Sequence, residues 1–328
     1  NLILSFNLIF ILTFILNYFG VFLFWKKLFK SDILAFAGSL LLIFSPFFHL
    51  NISHFQMLSI WPGLFCLYFT LDNHFRPKRM VLAGVFLSLQ FLTSVYLSVY
   101  LITTIILLYF FKFLQFRKTR ETFLSLGLIF LVFFLICGIF IKGYSDTKNL
   151  YNIHRNITEY IQYSAHLSDY VFTGSINSTL HQSLLIKKWN DFNKHFVGVH
   201  SSSPGLLLIF LSLLGLFSFI KGKKGWVLQV IVYHERTFFL TLAFLGFIFS
   251  LGPRLNFNGN YAHIPLPYII FLKIIALFEV TRVPARWSFI LFLAIVYFAV
   301  LGIKKLGRRI NSKFLFPIIF IVFILEYI

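Results

Sequence analysis

Thr122-Phe-Leu-Ser-Leu-Gly-Leu-Ile-Phe-Leu-Val-Phe-Phe-Leu-Ile-Cys-Gly-Ile-Phe-Ile141 is a run of 20 residues without a charged side chain. At 1.5 Å per residue, a helix of that length covers about 30 Å, the hydrocarbon thickness of a bilayer. Similar apolar runs lie on either side of it, at about 2–25, 33–48, 57–71, 204–220, 237–251, 286–303 and 314–328, and short basic segments separate many of them. Of 328 residues, 59% are hydrophobic and 12% charged, whereas soluble domains carry about 25% charge. So few charges cannot cover a soluble surface. The composition excludes a soluble enzyme, a nucleic-acid-binding module and a disordered chain. It specifies an all-α, polytopic transmembrane helical bundle.

One apolar stretch does not fit a single span. Residues 80–111 would form a helix of roughly 48 Å, and Thr93-Ser94 interrupts its middle. Arg76, Lys78 and Arg79 precede it, and Lys112, Arg117, Lys118 and Arg120 follow it. Two short helices that enter and leave on one side satisfy both facts. That hairpin brings the expected total to about ten apolar helices. The chain then divides into N-terminal membrane helices over 1–141, a loop subdomain of about 60 residues over 142–203, and C-terminal membrane helices over 204–328. Within the last part, residues 265–285 are apolar but broken by Lys273, Glu279, Arg282 and Pro284, which reads as an interfacial segment.

The net charge of +19 follows membrane topology rather than a nucleic-acid partner. Of the 29 Lys and Arg, 19 fall in the gaps on one side of the expected topology. The positive-inside rule makes that side cytoplasmic. The loop 142–203 then faces outside, together with the segment around His49–Gln56 and residues 252–285. Cys66 and Cys137 both lie in apolar runs, so no disulfide framework is expected. The chain starts at Asn1 and stops at Ile328 inside an apolar run, and is expected to be part of a longer protein.

Charges at membrane depth mark function, yet the spans are almost free of them. That argues against an ion-coupled transporter. Polar chemistry gathers instead on the outer rim. His54 and Gln56 sit in a polar loop between two apolar spans and can bind a hydroxyl, a phosphate or a metal. A divalent metal is possible, but His49 and His54 have no identifiable third ligand. Glu279 opens the stretch Glu279-Val-Thr-Arg282-Val-Pro-Ala-Arg286-Trp287, whose two guanidinium groups can grip phosphate oxygens. Helix anchoring is the plainer reading, though it favours Arg on the cytoplasmic side. Glu159 and Asp169 are candidate general bases; a surface pair of Arg155 and Glu159 is the simpler alternative.

Several of these segments resemble bacterial GT-C-type membrane glycosyltransferases. Phe44-Ser-Pro-Phe-Phe-His-Leu-Asn-Ile-Ser-His-Phe-Gln-Met-Leu-Ser-Ile-Trp-Pro62 looks like their second outer loop, and Leu89-Gln-Phe-Leu-Thr-Ser-Val-Tyr96 looks like the same group. Tyr160-Ile-Gln-Tyr-Ser-Ala-His-Leu-Ser-Asp-Tyr170 and Leu266-Pro-Tyr with Arg282-Val-Pro-Ala-Arg286 are similar to the YfhO-like branch. The resemblance implies transfer of a sugar from a polyprenyl-phosphate donor to a lipid or cell-envelope glycan acceptor, on the outer face of the membrane. It also implies a catalytic Asp in the first outer loop, which is expected upstream of Asn1. An O-antigen polymerase or ligase, and a non-catalytic lipid or polysaccharide exporter, are the competing expectations. Membrane lipids are expected partners and nucleic acid is not.

Overall fold

In a computed structural model, residues 1–45, 48, 51, 54–72, 74–152, 155–170, 203–220, 234–257, 260–274, 276–308 and 312–327 are described. Most of the expected loop subdomain (171–202), His49 and the basic residues 221–224 lie outside them.

The chain begins with α1 (Leu2–Phe29), α2 (Asp32–Ile43), the single turn α3 (Phe55–Leu58) and α4 (Trp61–Thr70). Three longer helices follow: α5 (Pro77–Thr93), α6 (Val95–Phe116) and α7 (Thr119–Leu150). The short α8 (Ile157–Gln162) and a 3-10 turn (Leu167–Tyr170) lead to α9 (Leu206–Ile220) and α10 (His234–Ser250). Strands β1 (Arg254–Phe257) and β2 (Asn260–Pro265) pair antiparallel, and α11 (Tyr268–Ile274) and α12 (Ala276–Glu279) come next. A 3-10 turn (Pro284–Trp287) opens α13 (Ser288–Leu306), and α14 (Ser312–Tyr327) ends the described chain. The small hairpin is a departure from the all-α expectation; the rest of the regular structure described is helical.

Among the described residues, four helical segments are long and apolar enough to cross a membrane: Leu2–Phe29, Val95–Phe116, Thr119–Leu150 and Pro284–Leu306. Shorter apolar helices accompany them at Asp32–Ile43, Phe55–Thr70 and Leu206–Phe217. Helix α13 is apolar around its whole circumference, and most of its residues are buried against α2, α9 and α10. An all-apolar helix is the sequence mark of that central place. Gly215 of α9 and Gly302 of α13 meet where those two helices cross. A Cβ on Gly302 would lie 2.1 Å from the Leu211 carbonyl oxygen, so only glycine lets the backbones approach this closely. On the periphery the pattern inverts: Leu2, Leu135 and Ile139 are 90%, 76% and 77% exposed. Apolar side chains facing outward in such numbers suit a lipid solvent.

The break expected at Thr93-Ser94 is present. Ser94 is extended (φ −157°, ψ 109°), caps α5 by donating its N–H to Gln90 O at 2.8 Å, and accepts Leu97 N–H on its hydroxyl to start α6. The two helices form a hairpin. Tyr109, near the end of α6, donates its hydroxyl to Met80 Sδ, near the start of α5, at 3.1 Å. The expected span 57–71 is not continuous, because Ser59 and Ile60 separate α3 from α4. Asn17 of α1 satisfies that break: its oxygen accepts Ile60 and Trp61 N–H at 3.1 and 2.9 Å, and its amide donates to Leu58 O at 2.7 Å. Helix α7 continues nine residues past the expected boundary at 141, to Leu150.

Candidate functional site

The break at Ser94 puts Tyr96 in the first turn of α6, at the end of the bundle opposite the α5 N-terminus. Across from it, the 3-10 turn before α13 carries Arg286, held by Ala285 N–H donating to Tyr163 O at 3.1 Å. The Arg286 guanidinium lies 5.0 Å from the centre of the Tyr96 ring, a cation–π distance. His54 stands near enough to Arg286 to feel its charge. Burial first, and that charge second, hold the His54 pKa below the usual histidine value, so the imidazole is neutral at pH 7 and can accept a hydrogen bond. Among the described residues, no carboxylate pairs with Arg286.

Arg282, four residues away, has a different environment. Its Nε lies 3.3 Å from Glu159 Oε2, its Nη2 donates to Tyr163 Oη at 3.2 Å, and the guanidinium covers the Tyr163 ring at 4.9 Å. Both partners in the ion pair are nearly half exposed, so the pair is weak and separable. Glu279 pairs with Lys148 at the end of α7, and its carbonyl accepts Tyr160 Oη at 3.0 Å. Tyr268 donates to Thr281 O at 2.9 Å. Trp287 is fully buried, 4.5 Å from the Tyr100 ring and 5.3 Å from that of Phe278. The two Arg residues therefore sit on a turn fixed by α8, α11 and the aromatic core.

Asp169 is mostly buried. Its Oδ2 accepts His166 N–H at 2.7 Å. Burial, only partly offset by that hydrogen bond, pushes its pKa up to about 7. His166 is buried too, and burial lowers its pKa. Inside the bundle a small cleft is lined by Gln90, Tyr100, Thr104, Ile60, Phe289 and Leu293 among others. Gln90 accepts Gly63 N–H at 2.9 Å and donates to Ser59 O at 3.1 Å. The Tyr100 hydroxyl is buried, and has no hydrogen-bond partner among the described residues. Orphaned polar groups in a cavity wall mark places where water or a ligand sits. No group of three or more His, Cys, Asp or Glu able to hold a metal occurs among the described residues.

A domain of unknown function, DUF6311, matches residues 4–327, nearly the whole chain. The chain belongs to the DUF6311 family. No curated protein and no solved structure matches it.

In this DUF6311 chain, the residues singled out in the sequence separate into two sets. His54, Arg286 and Tyr96 form one group, with Gln56 exposed on α3, the turn that His54 precedes. Arg282, Glu159, Tyr163, Lys148 and Glu279 form a second, internally paired set. Sequence reading quoted Gln90 and Tyr96 only within a segment that carries the resemblance, without a role, and passed over Asn17 and Lys148. It looked for charges at membrane depth, so the neutral amides of Asn17 and Gln90 raised no signal. A single Asn or Gln inside an apolar run of this DUF6311 sequence is the clue that finds them.

Proposed function

We propose that this protein crosses the membrane about ten times, with 142–203 outside, and acts there as a glycosyltransferase on a polyprenyl-phosphate-linked sugar. The short α2, the pair α3–α4, and α5, α9, α10 and α14 supply the crossings beyond the four long helices. The acceptor is a lipid or a cell-envelope glycan. The observation that carries the reading is Arg286: a half-buried guanidinium without a carboxylate partner among the described residues, resting on Tyr96 beside His54.

Chemically, an acceptor hydroxyl loses its proton and its oxygen attacks the anomeric carbon. The bond from that carbon to the phosphate oxygen breaks, and the lipid phosphate leaves with the electron pair. Arg286 stabilises the charge that develops on that phosphate. Tyr96 holds the guanidinium flat, and neutral His54 offers an acceptor to a sugar or acceptor hydroxyl. Arg282, tied to Glu159 and Tyr163, positions the turn and is a second phosphate ligand once the weak ion pair opens. Glu159, Glu279 and Asp169 are engaged with Arg282, Lys148 and the His166 N–H respectively. None of them is assigned here as the base, and the resemblance puts that carboxylate in a loop preceding α1.

Kinetics of the full-length protein with a polyprenyl-phosphate sugar test the reading. Lys does not reproduce the guanidinium fork, so Arg286→Lys is expected to lower kcat/KM about a hundredfold with membrane insertion intact. Wild-type kcat/KM in Arg286→Lys and Arg286→Ala would reduce Arg286 to a helix anchor.

A further inference from the structure

The opposite end of the bundle holds a second built cluster. Asp72 follows α4, and its carboxylate pairs with Lys27 at the end of α1, 2.7 Å away, and with Arg79 in the first turn of α5. Burial raises its pKa, but the contacts with these two cations more than reverse this, so Asp72 is ionised at any physiological pH. Lys112 of α6 donates to the carbonyl oxygens of Thr70 and Asp72. Lys118, between α6 and α7, lies 3.0 Å from Glu121 Oε1 and 3.2 Å from His74 Nδ1. The other Glu121 oxygen accepts Phe75 N–H at 3.2 Å.

Both carboxylates are thus committed, Asp72 to Lys27 and Arg79, Glu121 to Lys118 and a backbone amide. Lys112 contacts neutral carbonyls and is balanced by no carboxylate of its own. Lys112 and Lys118 line a cleft with His74, Thr122, Asp72 and Glu121, and Lys27 and Arg79 stand behind Asp72, so the cluster as a whole sets four basic side chains against two carboxylates. That excess fits a ligand carrying negative charge. The location decides the class. The cavity lies where α6 and α7, both long enough to cross a membrane, share an end. Beside it, Phe113, Phe123 and Leu124 are bare at 37%, 67% and 45% exposure. A charged pocket bordered by exposed apolar helix faces matches a phosphate headgroup with acyl chains attached, and basic pockets between membrane helices take such headgroups.

We propose that this cavity seats the phosphate of an anionic phospholipid, with Lys112 and Lys118 as its cationic ligands and the chains along α6 and α7. The site is independent of the Arg286 rim. Native mass spectrometry of the detergent-purified full chain tests it, with phosphatidylglycerol and phosphatidylcholine of identical chains supplied at equal concentration. Phosphatidylglycerol should be retained preferentially. Lys112→Gln and Lys118→Gln should each reduce its retention about fivefold, while Lys304→Gln leaves it unchanged. If Lys112→Gln does not fold, Lys118→Gln, at a partly exposed position, carries the test. Equal retention of the two lipids, or wild-type retention by the folded Lys variants, overturns the proposal. Displacement of the lipid by millimolar inorganic phosphate would identify a free-anion site and overturns it equally.

Discussion

Asp169 combines a buried carboxyl with a single backbone hydrogen bond, and a pH consequence follows. In the unfolded chain its carboxyl titrates near the ordinary 3.8, whereas in the fold the value rises to about 7. Between those values the folded state binds more protons than the unfolded state. Stability therefore falls as pH rises through the window. The loss is complete above pH 7 and amounts to at most about 4 kcal/mol. Asp169→Asn keeps an acceptor for His166 N–H and carries no charge at any pH. It should match the wild type in melting temperature near pH 4 and exceed it at pH 8. A constant difference across that range would show that Asp169 titrates normally. At this scale the sequence was partly legible. Arg282, Arg286, His54 and Glu159 all stand on one rim, as their positions in the chain suggested. What no local pattern carries is which cation meets which anion: Lys148 and Glu279 are 131 residues apart, and Arg282 takes Glu159 where Arg155 was the obvious local partner.

Elements are legible where the physics is local, and the Ser94 break shows this. A helix over 80–111 would be too long, and a hydroxyl residue able to cap a new helix stands in its middle. Hydropathy marks where lipid ends, however, not where a helix ends. This is why α7 outruns its apolar run by nine mostly polar residues. The hairpin of β1 and β2 was missed although Asn258-Gly259, a strong hairpin dipeptide, stands between its strands. The contact of α9 with α13 is decided by absent side chains, which periodicity cannot see. Gly302→Ala would put a methyl group 2.1 Å from Leu211 O, and a backbone carbonyl cannot move aside as a flexible side chain can. The helices must then separate, and detergent-solubilised Gly302→Ala should melt far below wild type or fail to accumulate. A melting temperature within a degree or two of wild type would show that α9 and α13 are not packed this closely.

At the scale of the whole molecule, two ends are chemically distinct. One gathers Lys27, Asp72, Arg79, Lys112 and Lys118; the other gathers His54, Tyr96, Glu159, Arg282 and Arg286. In the proposed orientation, the first faces the cytoplasm. Cys66 and Cys137 are fully buried, so introduced cysteines report against a quiet background. Cysteine in place of exposed Thr158 should react with an impermeant thiol reagent in intact cells, and cysteine in place of exposed His74 only after the membrane is opened. The reverse pattern would invert the topology and remove the proposed outer-face chemistry.

The central place of α13 also sets a schedule for biogenesis. Ribosomes deliver helices in chain order, and α13 emerges about 245 residues after α2, on which it packs. At ordinary elongation rates, that interval is on the order of 10–50 s. During it, the α2 face at Gly38, which packs on Val300 of α13, waits for its neighbour among lipid tails, which are as apolar as the side chains that will replace them. In water the same delay would invite aggregation; in a bilayer it costs little. Helix α9, whose strongest contact is with α13, waits for the same late partner, and the Arg286 turn directly precedes that partner in the chain.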